Sequence, residues 1–558
     1  MREWVGIFGA FLLLAVIASW PLAANLETLV TSARAESDLG YSIYSHWWAG
    51  EVIAGRAPFD HNSLVYFPAG QAMISSVWNL VTLFGTAWLH LFMEPIGAWN
   101  GAVLAVMALN GVGGFALGRR LGGTRGGVLA GATALLFPIC WTEGFEGRLE
   151  QAFTLPISLS MLGLHDLGQR REGAWRTAGI GIGLVGATYW FMAPLFVVAA
   201  LPLLIPILRD RSGRMELLKS ALAALAILLP ALAVAWPHIS GELIERTNDG
   251  PHQLLMRTGN SLLLPFDLPT GRLPMGRAIP LVGLAALGAA WFREGGRRWV
   301  AVALIAVMLA MGPALQVGGV PVSVGGRLIP LPMALLDLLP GFERFWWPYR
   351  ALLIAGPACA AAIAVAFPRE RMTLLLTIAI VAISTAESRF AVQRAVSEGD
   401  PSIPISPFDP TPGAHYFQRH IPGWFRDAPS EGAVIDHPLR ESANIAPLHA
   451  TYHQLPTVIG DGAHEATIRP ASFEEHTAES LLLSSWASGE VLRTSDQDRR
   501  RLSRGGYRWL AWHLPNPSLY PTLHDEALDE VEAAKELLGA PIHEERRLVV
   551  FSLTPPLR

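Results

Sequence analysis

The sequence predicts an α-helical polytopic membrane protein with an α/β domain at its C-terminal end. Of its 558 residues, 51% are hydrophobic and only 16% are charged. The mean hydropathy of +0.35 is too high for an ordinary soluble enzyme. Long apolar runs recur through the first part of the chain and then stop. We therefore predict a transmembrane domain over 1–388 and a separate domain over 389–558.

The apolar runs predict about eleven membrane-spanning helices, since a helix needs roughly 20 mostly apolar residues to cross about 30 Å of hydrocarbon. The segment 177–208 is ambiguous, because it can form one long helix or two short ones. The predicted spans lie near 4–24, 97–118, 126–141, 151–168, 177–190, 191–208, 217–237, 278–292, 299–317, 350–367 and 372–387.

Arginine clusters between these runs predict the orientation. If the N-terminus is cytoplasmic and all eleven spans exist, five clusters fall on the cytoplasmic side, as the positive-inside rule requires. A single helix at 177–208 would place the third cluster outside and invert the later ones. The clusters are Arg119/Arg120/Arg125, Arg170/Arg171/Arg176, Arg209/Arg211/Arg214, Arg293/Arg297/Arg298 and Arg369/Arg371.

The first span has a second interpretation, because Arg2 followed by an apolar run is also typical of a secretory signal peptide. The stretch "SWPLAAN" lacks a clear cleavage site, so we predict an uncleaved anchor. In either case the long loop 25–96 and the C-terminal domain are predicted to be extracytoplasmic. The predicted location is the inner membrane of a bacterium, with the C-terminal domain in the periplasm or outside the cell.

Short strands and one clear helix are predicted after Ser388, where Pro, His, Asp and Arg become frequent. "GAVIDHPL", "GYRWLAWHL" and "RRLVVFSL" have the composition of buried strands. "DEALDEVEAAKELLG" has an acidic start, an apolar face with helical period and a closing Gly. These features predict a small α/β domain.

Charge and cysteine content exclude other classes of protein. The formal net charge is −4, whereas a general nucleic-acid-binding protein concentrates Lys and Arg on one face. Cys140 and Cys359 both lie in apolar runs, where a free thiol behaves as a small hydrophobic group. No Cys/His spacing typical of a zinc site occurs. We expect no nucleic-acid partner and no disulfide framework.

Several stretches together resemble the GT-C superfamily of membrane glycosyltransferases. The loop after the first span reads "ESDLGYSIYSHWWAGEVIAGRAPF" and continues to "YFPAG". The resemblance extends to "LGRRLGGTRGGVLAGATALLFP", "EGRLEQAFTLPISLSMLGL" and "FERFWWPYRALLIAGPA". It implies a GT-C-like membrane domain that transfers a sugar from a polyprenyl-phosphate-linked donor to a glycan, lipid or protein acceptor at the outer face.

The resemblance also implies that Asp38 is the catalytic carboxylate that assists the attacking acceptor hydroxyl. The D-x-D pattern of some GT-C families is replaced here by Glu36 and Asp38, so dependence on a divalent cation such as Mg²⁺ or Mn²⁺ stays open. Asp38 or Glu146 would be the ligand. The resemblance further implies substrate contacts by residues of the same loop, namely Glu36, His46, Trp47 and Tyr66.

Two of these positions have structural alternatives. Asp38 could be the N-cap of the helix that starts near Leu39, because Asp is a preferred capping residue. Trp47 could contact the substrate, but with Trp48 it could equally anchor an amphipathic helix at the membrane surface. Both alternatives stay open in the sequence.

Two further charged stretches are candidate substrate sites. "TEGFEGRLEQ" carries Glu143, Glu146, Arg148 and Glu150 between two predicted spans, where charges are costly unless they are paired or functional. Glu146 or Glu150 could orient the acceptor and Arg148 could face the donor phosphate, although a solvated hairpin would also explain this turn.

"PGFERFWWPYR" offers two arginines among aromatic residues. Arg344 or Arg350 could bind the lipid-linked phosphate through paired N–H groups. Snorkelling of these side chains to lipid headgroups would explain the same residues without catalysis.

Other patterns are predicted to be structural. "GIGLVG" matches G-x-G-x-x-G but lies inside a predicted span, so it is interpreted as a helix-packing surface. The neighbours Asp436/His437, His464/Glu465 and Glu475/His476 could bind a metal, although adjacency by chance is common among 16 His residues. The competing functions are a lipid-linked glycan transporter and a non-catalytic GT-C-like scaffold.

Overall fold

A computed structural model shows a mainly helical protein whose chain divides into two compact units. The first unit comprises Met1–Ala24, Trp78–Gly85 and Gly101–Asp400, and the second comprises Asn25–Val77, Thr86–Asn100 and Pro401–Arg558. The structure describes residues 2–30, 38–72, 80–239, 279–317, 320–336, 338, 345, 347–367, 375–384, 417–418, 421–437, 446–458, 495–515, 521–545 and 547–554.

The described helices include most of the predicted apolar runs. In chain order they are α1 Arg2–Ala18, α2 Leu39–Ile53, α3 Leu80–Thr86, α4 Pro95–Leu135, α5 Pro138–Phe145, α6 Leu149–Ala152, α7 Leu155–Gly168, α8 Ala174–Thr188, α9 Met192–Ala199, α10 Leu201–Arg209, α11 Arg211–Ile239, α12 Leu281–Trp291, α13 Gly296–Ala310, α14 Met333–Leu336, α15 Leu352–Ala366, α16 Leu375–Ser384, α17 Gly423–Arg426, α18 Ala446–His453, α19 Asp496–Arg504 and α20 Pro521–Leu538.

The described strands are short. They are β1 Leu29–Val30, β2 His61–Asn62, β3 Gln71–Ala72, β4 Gln316–Val317, β5 Val320–Pro321, β6 Ser323–Val324, β7 Arg327–Leu328, β8 Phe417–Gln418, β9 Ala433–His437, β10 Tyr507–His513, β11 His543–Glu545 and β12 Leu548–Ser552.

Three helical segments in the described chain are long and apolar enough to cross a membrane: Pro95–Leu135, Arg211–Ala233 and Pro348–Ala366. A fourth span results if α9 and α10, which meet at a bend of 65°, are counted as one. The remaining apolar helices are shorter, so the number of eleven spans stays a prediction.

The ambiguous segment 177–208 forms two separate helical parts. Helix α8 ends at Thr188, and Tyr189 then adopts an extended backbone before α9 begins at Met192. A single continuous helix over this segment is therefore absent. The break supplies the two-helix arrangement that the positive-inside interpretation needs, while the orientation itself stays a prediction.

Glycines bring α8 close to its neighbours, as expected for the "GIGLVG" stretch. A Cβ atom on Gly181 would lie 2.5 Å from the backbone nitrogen of Ser160 in α7, and one on Gly183 would lie 2.9 Å from the carbonyl oxygen of Ala224 in α11. Neither distance leaves room for a methyl group. The stretch is thus a helix-packing surface.

Replacing Gly181 by Ala should lower the free energy of unfolding of the first unit by about 1–3 kcal/mol. The added methyl group would meet backbone atoms that cannot rotate away. The matched control is Gly288→Ala in α12, where a Cβ would have no heavy atom within 4 Å. Thermal unfolding of both purified variants in detergent measures the difference. Equal unfolding midpoints for the two variants would contradict the close packing of α7 on α8.

The second unit contains a four-stranded mixed sheet in the order β11-β12-β10-β9. Strands β10 and β12 are antiparallel, whereas β10 and β9 are parallel. Every residue of β9 is buried, which explains why its first three residues are all apolar. The other two, Asp436 and His437, are buried polar side chains. The strands and the helix α20 match the elements expected from "GAVIDHPL", "GYRWLAWHL", "RRLVVFSL" and "DEALDEVEAAKELLG". The domain boundary at 389 stays a prediction.

Helix α2 belongs to the second unit and carries the aromatic stretch of the first loop. It packs against α18 and against the short 3-10 helix Ala87–Leu91. Ten of its fifteen residues are buried. Trp47 and Trp48 are only 6% and 4% exposed. Burial of both indoles inside the protein does not fit the expected anchoring at a membrane surface.

Candidate functional site

A network of buried charges lies in the first unit where α5 ends. Helix α5 begins with Pro138, which suits a first helical position because its missing N–H group needs no partner there. Gly147 has a φ of 99°, a left-handed conformation that favours glycine, and it reverses the chain after Glu146. The backbone N–H of Arg148 consequently donates to the carbonyl oxygen of Glu143 at 2.8 Å.

The side chain of Arg148 bridges two carboxylates in this turn. Its Nε atom lies 2.5 Å from Oε2 of Glu143, and its Nη2 atom donates to Oε2 of Glu146. Glu143 has no exposed surface, and the other two residues are 9% exposed. A solvated hairpin does not fit this degree of burial, because a charge removed from water needs a partner.

A distant segment completes the network. The 3-10 helix Pro348–Ala351 precedes α15 and presents Tyr349 and Arg350 to Glu143. The hydroxyl of Tyr349 donates to Oε1 of Glu143 at 2.8 Å. Nε of Arg350 lies 3.7 Å from Oε2 of Glu143, and its Nη1 donates to the hydroxyl of Tyr189 at 3.2 Å.

Electrostatics in this network favour the ionised form of Glu143. Burial alone would raise the pKa of its carboxyl group, but the charges of Arg148 and Arg350 outweigh that effect and the pKa is lowered. The two guanidinium groups formally balance the carboxylates of Glu143 and Glu146. The positive charges are unequally engaged, however, since Arg148 contacts both carboxylates at short distance, whereas the ion pair described for Arg350 is with Glu143 at 3.7 Å.

Arg350 also lies on the side of the network that is nearest the surface of the unit. Its guanidinium carbon is 4.5 Å from the ring centre of Trp347, within the range of a cation–π contact. Trp347 and Tyr189 are half-buried, whereas Arg350 is 5% exposed. The network therefore reaches the surface of the unit beside Arg350.

Asp38 occupies the N-cap position of α2, as the capping alternative expected. Its side chain, however, makes no capping hydrogen bond to the helix. The residue is half-buried. The carboxylate thus has the place of a cap without the hydrogen bond that usually makes Asp favourable there.

The structure places the other predicted residues as follows. His46 is buried, with Nδ1 2.8 Å from Nε2 of His90 and Nε2 2.9 Å from the Thr86 hydroxyl. Burial lowers the pKa of His46, and that of His90 to about 3, so the imidazoles are neutral. Tyr66 is 1% exposed with a φ of 50°.

Three further predictions concern the charged stretches. Glu150 is half-buried and accepts a hydrogen bond from the Gln151 amide at 2.9 Å. Glu36 and Arg344 lie outside the described residues. Their roles, like those of the described candidates, stay predictions.

Sequence reasoning missed two partners in the network, Tyr189 and Tyr349. Both are phenols next to an arginine or at a helix break, and their positions in the sequence do not show that they meet. The hydrogen bond between Tyr349 and Glu143 joins residues 206 positions apart. The PYR sequence before an apolar helix was the available signal.

Potential metal ligands converge in the second unit. Ligand atoms of Asp436, His449 and His513 all lie within 4.8 Å of one another. The expected pair of neighbours Asp436 and His437 does not form a site, because successive residues of a strand point to opposite faces. In the described part of the chain, neither Asp38 nor Glu146 belongs to a group of three such ligands. His464, Glu465, Glu475 and His476 are not among the described residues.

Comparison with known proteins gives a likeness of fold. No family model and no curated protein matches the chain. The arabinofuranosyltransferase AftD from Mycobacteria matches 99% of this chain with a TM-score of 0.51 at 14% identity, and the chain spans 42% of that protein's length.

Two other solved structures are less similar. The oligosaccharyltransferase of Archaeoglobus fulgidus matches 91% of this chain and 68% of its own, with 13% identity and a TM-score of 0.44. ArnT from Cupriavidus metallidurans matches 100% of this chain and 99% of its own, with 12% identity and a TM-score of 0.43. The likeness to the arabinofuranosyltransferase concerns the fold alone, and it agrees with the fold that the resemblance to GT-C membrane glycosyltransferases implies.

Proposed function

We propose that the protein is a membrane glycosyltransferase that takes a sugar from a polyprenyl-phosphate-linked donor and transfers it to an envelope acceptor on the extracytoplasmic face. The observation that carries this proposal is the buried network of Glu143, Arg148, Tyr349 and Arg350 in a chain with a GT-C fold. Such a network is expensive to bury, and a site for an anionic lipid headgroup gives a reason for its presence.

The donor phosphate is assigned to Arg350. Arg148 is already engaged by two carboxylates, so its charge is largely compensated. Arg350 instead has one carboxylate at 3.7 Å and a neutral phenol at 3.2 Å. Arginine suits a phosphate because its planar group can donate two parallel N–H bonds. Arg148 is then a positioning residue that fixes Glu143.

The resemblance of the first loop to GT-C membrane glycosyltransferases supports Asp38 as the residue that assists the acceptor. In the reaction the acceptor hydroxyl oxygen forms a bond to the anomeric carbon of the sugar, and the bond from that carbon to the phosphate oxygen breaks. The electron pair leaves with the polyprenyl phosphate, and the hydroxyl proton passes to the Asp38 carboxylate. A divalent cation, if the reaction uses one, would be held by this carboxylate.

Replacing Arg350 by Lys should weaken binding of a polyprenyl phosphate by about 10-fold or more. Lysine keeps the charge, but it loses the planar pair of donors, and charge-assisted hydrogen bonds contribute about 1.5–3 kcal/mol each. The measurement is the shift in thermal unfolding of the purified full-length protein on titration with undecaprenyl phosphate. Arg350→Gln should abolish the shift.

The matched control is Arg176→Lys, because Arg176 also lies near a helix start with its guanidinium carbon 5.3 Å from a tryptophan ring centre, but it is exposed. It should bind undecaprenyl phosphate as the unaltered protein does. Equal binding by the Arg350 and Arg176 variants would refute the assignment of the phosphate. Binding without transfer from any polyprenyl-phosphate-linked hexose or pentose would favour the scaffold or transporter alternatives over the enzyme.

A further inference from the structure

A cluster of histidines lies inside the second unit, around the carboxylate of Asp436. Asp436 is in β9 and His513 is at the end of β10, so both belong to the central sheet. His449 is in α18, the helix that packs against α2. Three different elements thus direct titratable side chains to one place.

The side chains of this cluster contact one another and are almost completely buried. Nε2 of His513 lies 2.8 Å from Oδ1 of Asp436. The rings of His449 and His513 are stacked, with centres 5.3 Å apart, and Phe425 stacks on His449 at 4.2 Å. Exposure is 0% for Asp436, 3% for His449 and 5% for His513. The buried carboxylate of Asp436 therefore lies beside two buried imidazoles.

The chemistry of the three side chains indicates which metal ion they would bind. Two imidazoles and one carboxylate are ligands typical of Zn²⁺, and zinc accepts three protein ligands with a fourth position for water. Imidazole ligands disfavour Mg²⁺ and Ca²⁺, which prefer oxygen. The Thr457 hydroxyl lies 3.2 Å from Oδ2 of Asp436 and can donate to it, as expected for the supporting hydrogen bond of a carboxylate ligand.

A bound ion requires only small movements. Zinc bonds of about 2.0–2.1 Å place tetrahedral ligand atoms about 3.3 Å apart, and the three ligand atoms already lie within 4.8 Å of one another. The ion would replace the hydrogen bond between His513 and Asp436. Any proton on the ligating nitrogen of His513 would then be released.

A neighbouring histidine is a built-in control. His453 lies one turn after His449 in α18, and its ring centre is 5.4 Å from that of Phe425. Its Nδ1 atom accepts a hydrogen bond from the N–H group of Leu455 at 2.9 Å. The neutral ring consequently carries its proton on Nε2, so neither nitrogen offers a lone pair to a metal.

We propose that Asp436, His449 and His513 bind one Zn²⁺ ion, which fastens α18 to the sheet of the second unit. The ion cross-links residues from a helix and two strands, and its binding free energy adds to the stability of the folded unit. Because α18 packs against α2, the ion also holds the helix that Asp38 precedes. The proposal concerns the stability of the second unit, and it does not rest on the proposed transfer reaction.

The test compares His449→Gln with His453→Gln in the full-length protein purified in detergent. Metal content after dialysis against zinc-free buffer, measured by mass spectrometry, should be about one zinc per chain for the unaltered protein and His453→Gln. His449→Gln should bind Zn²⁺ at least about 10-fold more weakly, because even the loss of a residue that only supports a ligand costs about 10–100-fold in metal affinity. A chelator should lower the unfolding temperature of the first two proteins and leave His449→Gln unchanged.

A second measurement covers the case in which His449→Gln does not fold. Cobalt loaded into the unaltered protein should give the visible absorption bands of a low-coordinate Co²⁺ site with nitrogen ligands, and added Zn²⁺ should displace them. Absence of these bands, or equal zinc binding by the two histidine variants, would overturn the proposal. The second result would identify the zinc as adventitious.

Discussion

Replacing Asp38 by Asn should lower the rate of sugar transfer by about 10² or more while the protein folds and inserts normally. A positioned general base contributes about 10²–10⁴ to a rate, and Asn removes the charge while keeping the size. The helix should tolerate the change, because Asn is as good an N-cap residue as Asp and the Asp38 side chain makes no capping hydrogen bond. The rate is measured with the lipid-linked donor that the unaltered protein uses.

The control for this variant is Asp60→Asn, an exposed carboxylate of the same predicted loop. It should transfer sugar at the unaltered rate. Thermal unfolding of both variants shows whether any loss of activity comes from loss of fold. Unaltered transfer by Asp38→Asn at equal protein level would leave Asp38 as a helix cap and remove it from the mechanism.

Replacing Glu143 by Gln should destabilise the first unit by about 3–5 kcal/mol, the usual effect of removing one partner of a buried ion pair. The variant leaves the charges of Arg148 and Arg350 with Glu146 as the remaining carboxylate of the network. It also changes the acceptor for the Tyr349 hydroxyl. Unfolding in denaturant measures the loss.

The chain offers a matched control in Glu51→Gln. Glu51 pairs with Arg56 five positions later, the same spacing as Glu143 and Arg148, but the Arg56 side chain is 58% exposed. An exposed pair contributes about 0–1 kcal/mol, so this variant should remain close to the unaltered protein. Similar losses for the two variants would show that burial does not decide the strength of the pair.

The same comparison should depend on pH. The pKa of Glu143 is lowered in the folded protein, so its ionised form stabilises the fold at pH values above its pKa in the unfolded chain. That contribution is lost as the pH falls through the lowered pKa. The difference in stability between the unaltered protein and Glu143→Gln should therefore shrink in acid.

Periodicity predicted the elements whose burial is set locally. The three strands β9, β10 and β12 and the helix α20 follow from alternation, apolar runs and a closing glycine, because each pattern reflects one face of one element. The helix α2 was predicted for the same reason. Its burial was not, since whether Trp47 and Trp48 meet lipid or protein depends on α18 and on the 3-10 helix before α4.

The charged sites show the same limit. Sequence reasoning proposed Glu146 and Arg148 because charges between apolar runs are costly, and Arg350 because an arginine at the start of a span can bind a phosphate. It did not find that they meet, because pairing across about two hundred residues leaves no periodic signal. The Asp436 cluster could not be predicted from neighbours in the sequence. Successive residues of a strand point to opposite faces, so Asp436 and His437 are separated, and the cluster consists of residues from three elements.

Glu143 has one partner close to it in the sequence and others far from it, which matters while the chain is being synthesised. Arg148 follows five positions later, whereas Tyr349 follows after 206. At a synthesis rate of about 5–20 residues per second, the distant partner emerges roughly 10–40 s after the carboxylate. During that interval Arg148 is the cation that can neutralise Glu143 beside the bilayer. Arg148 thus serves as the first partner of Glu143, and it lowers the cost of inserting this segment until the remainder of the unit is made.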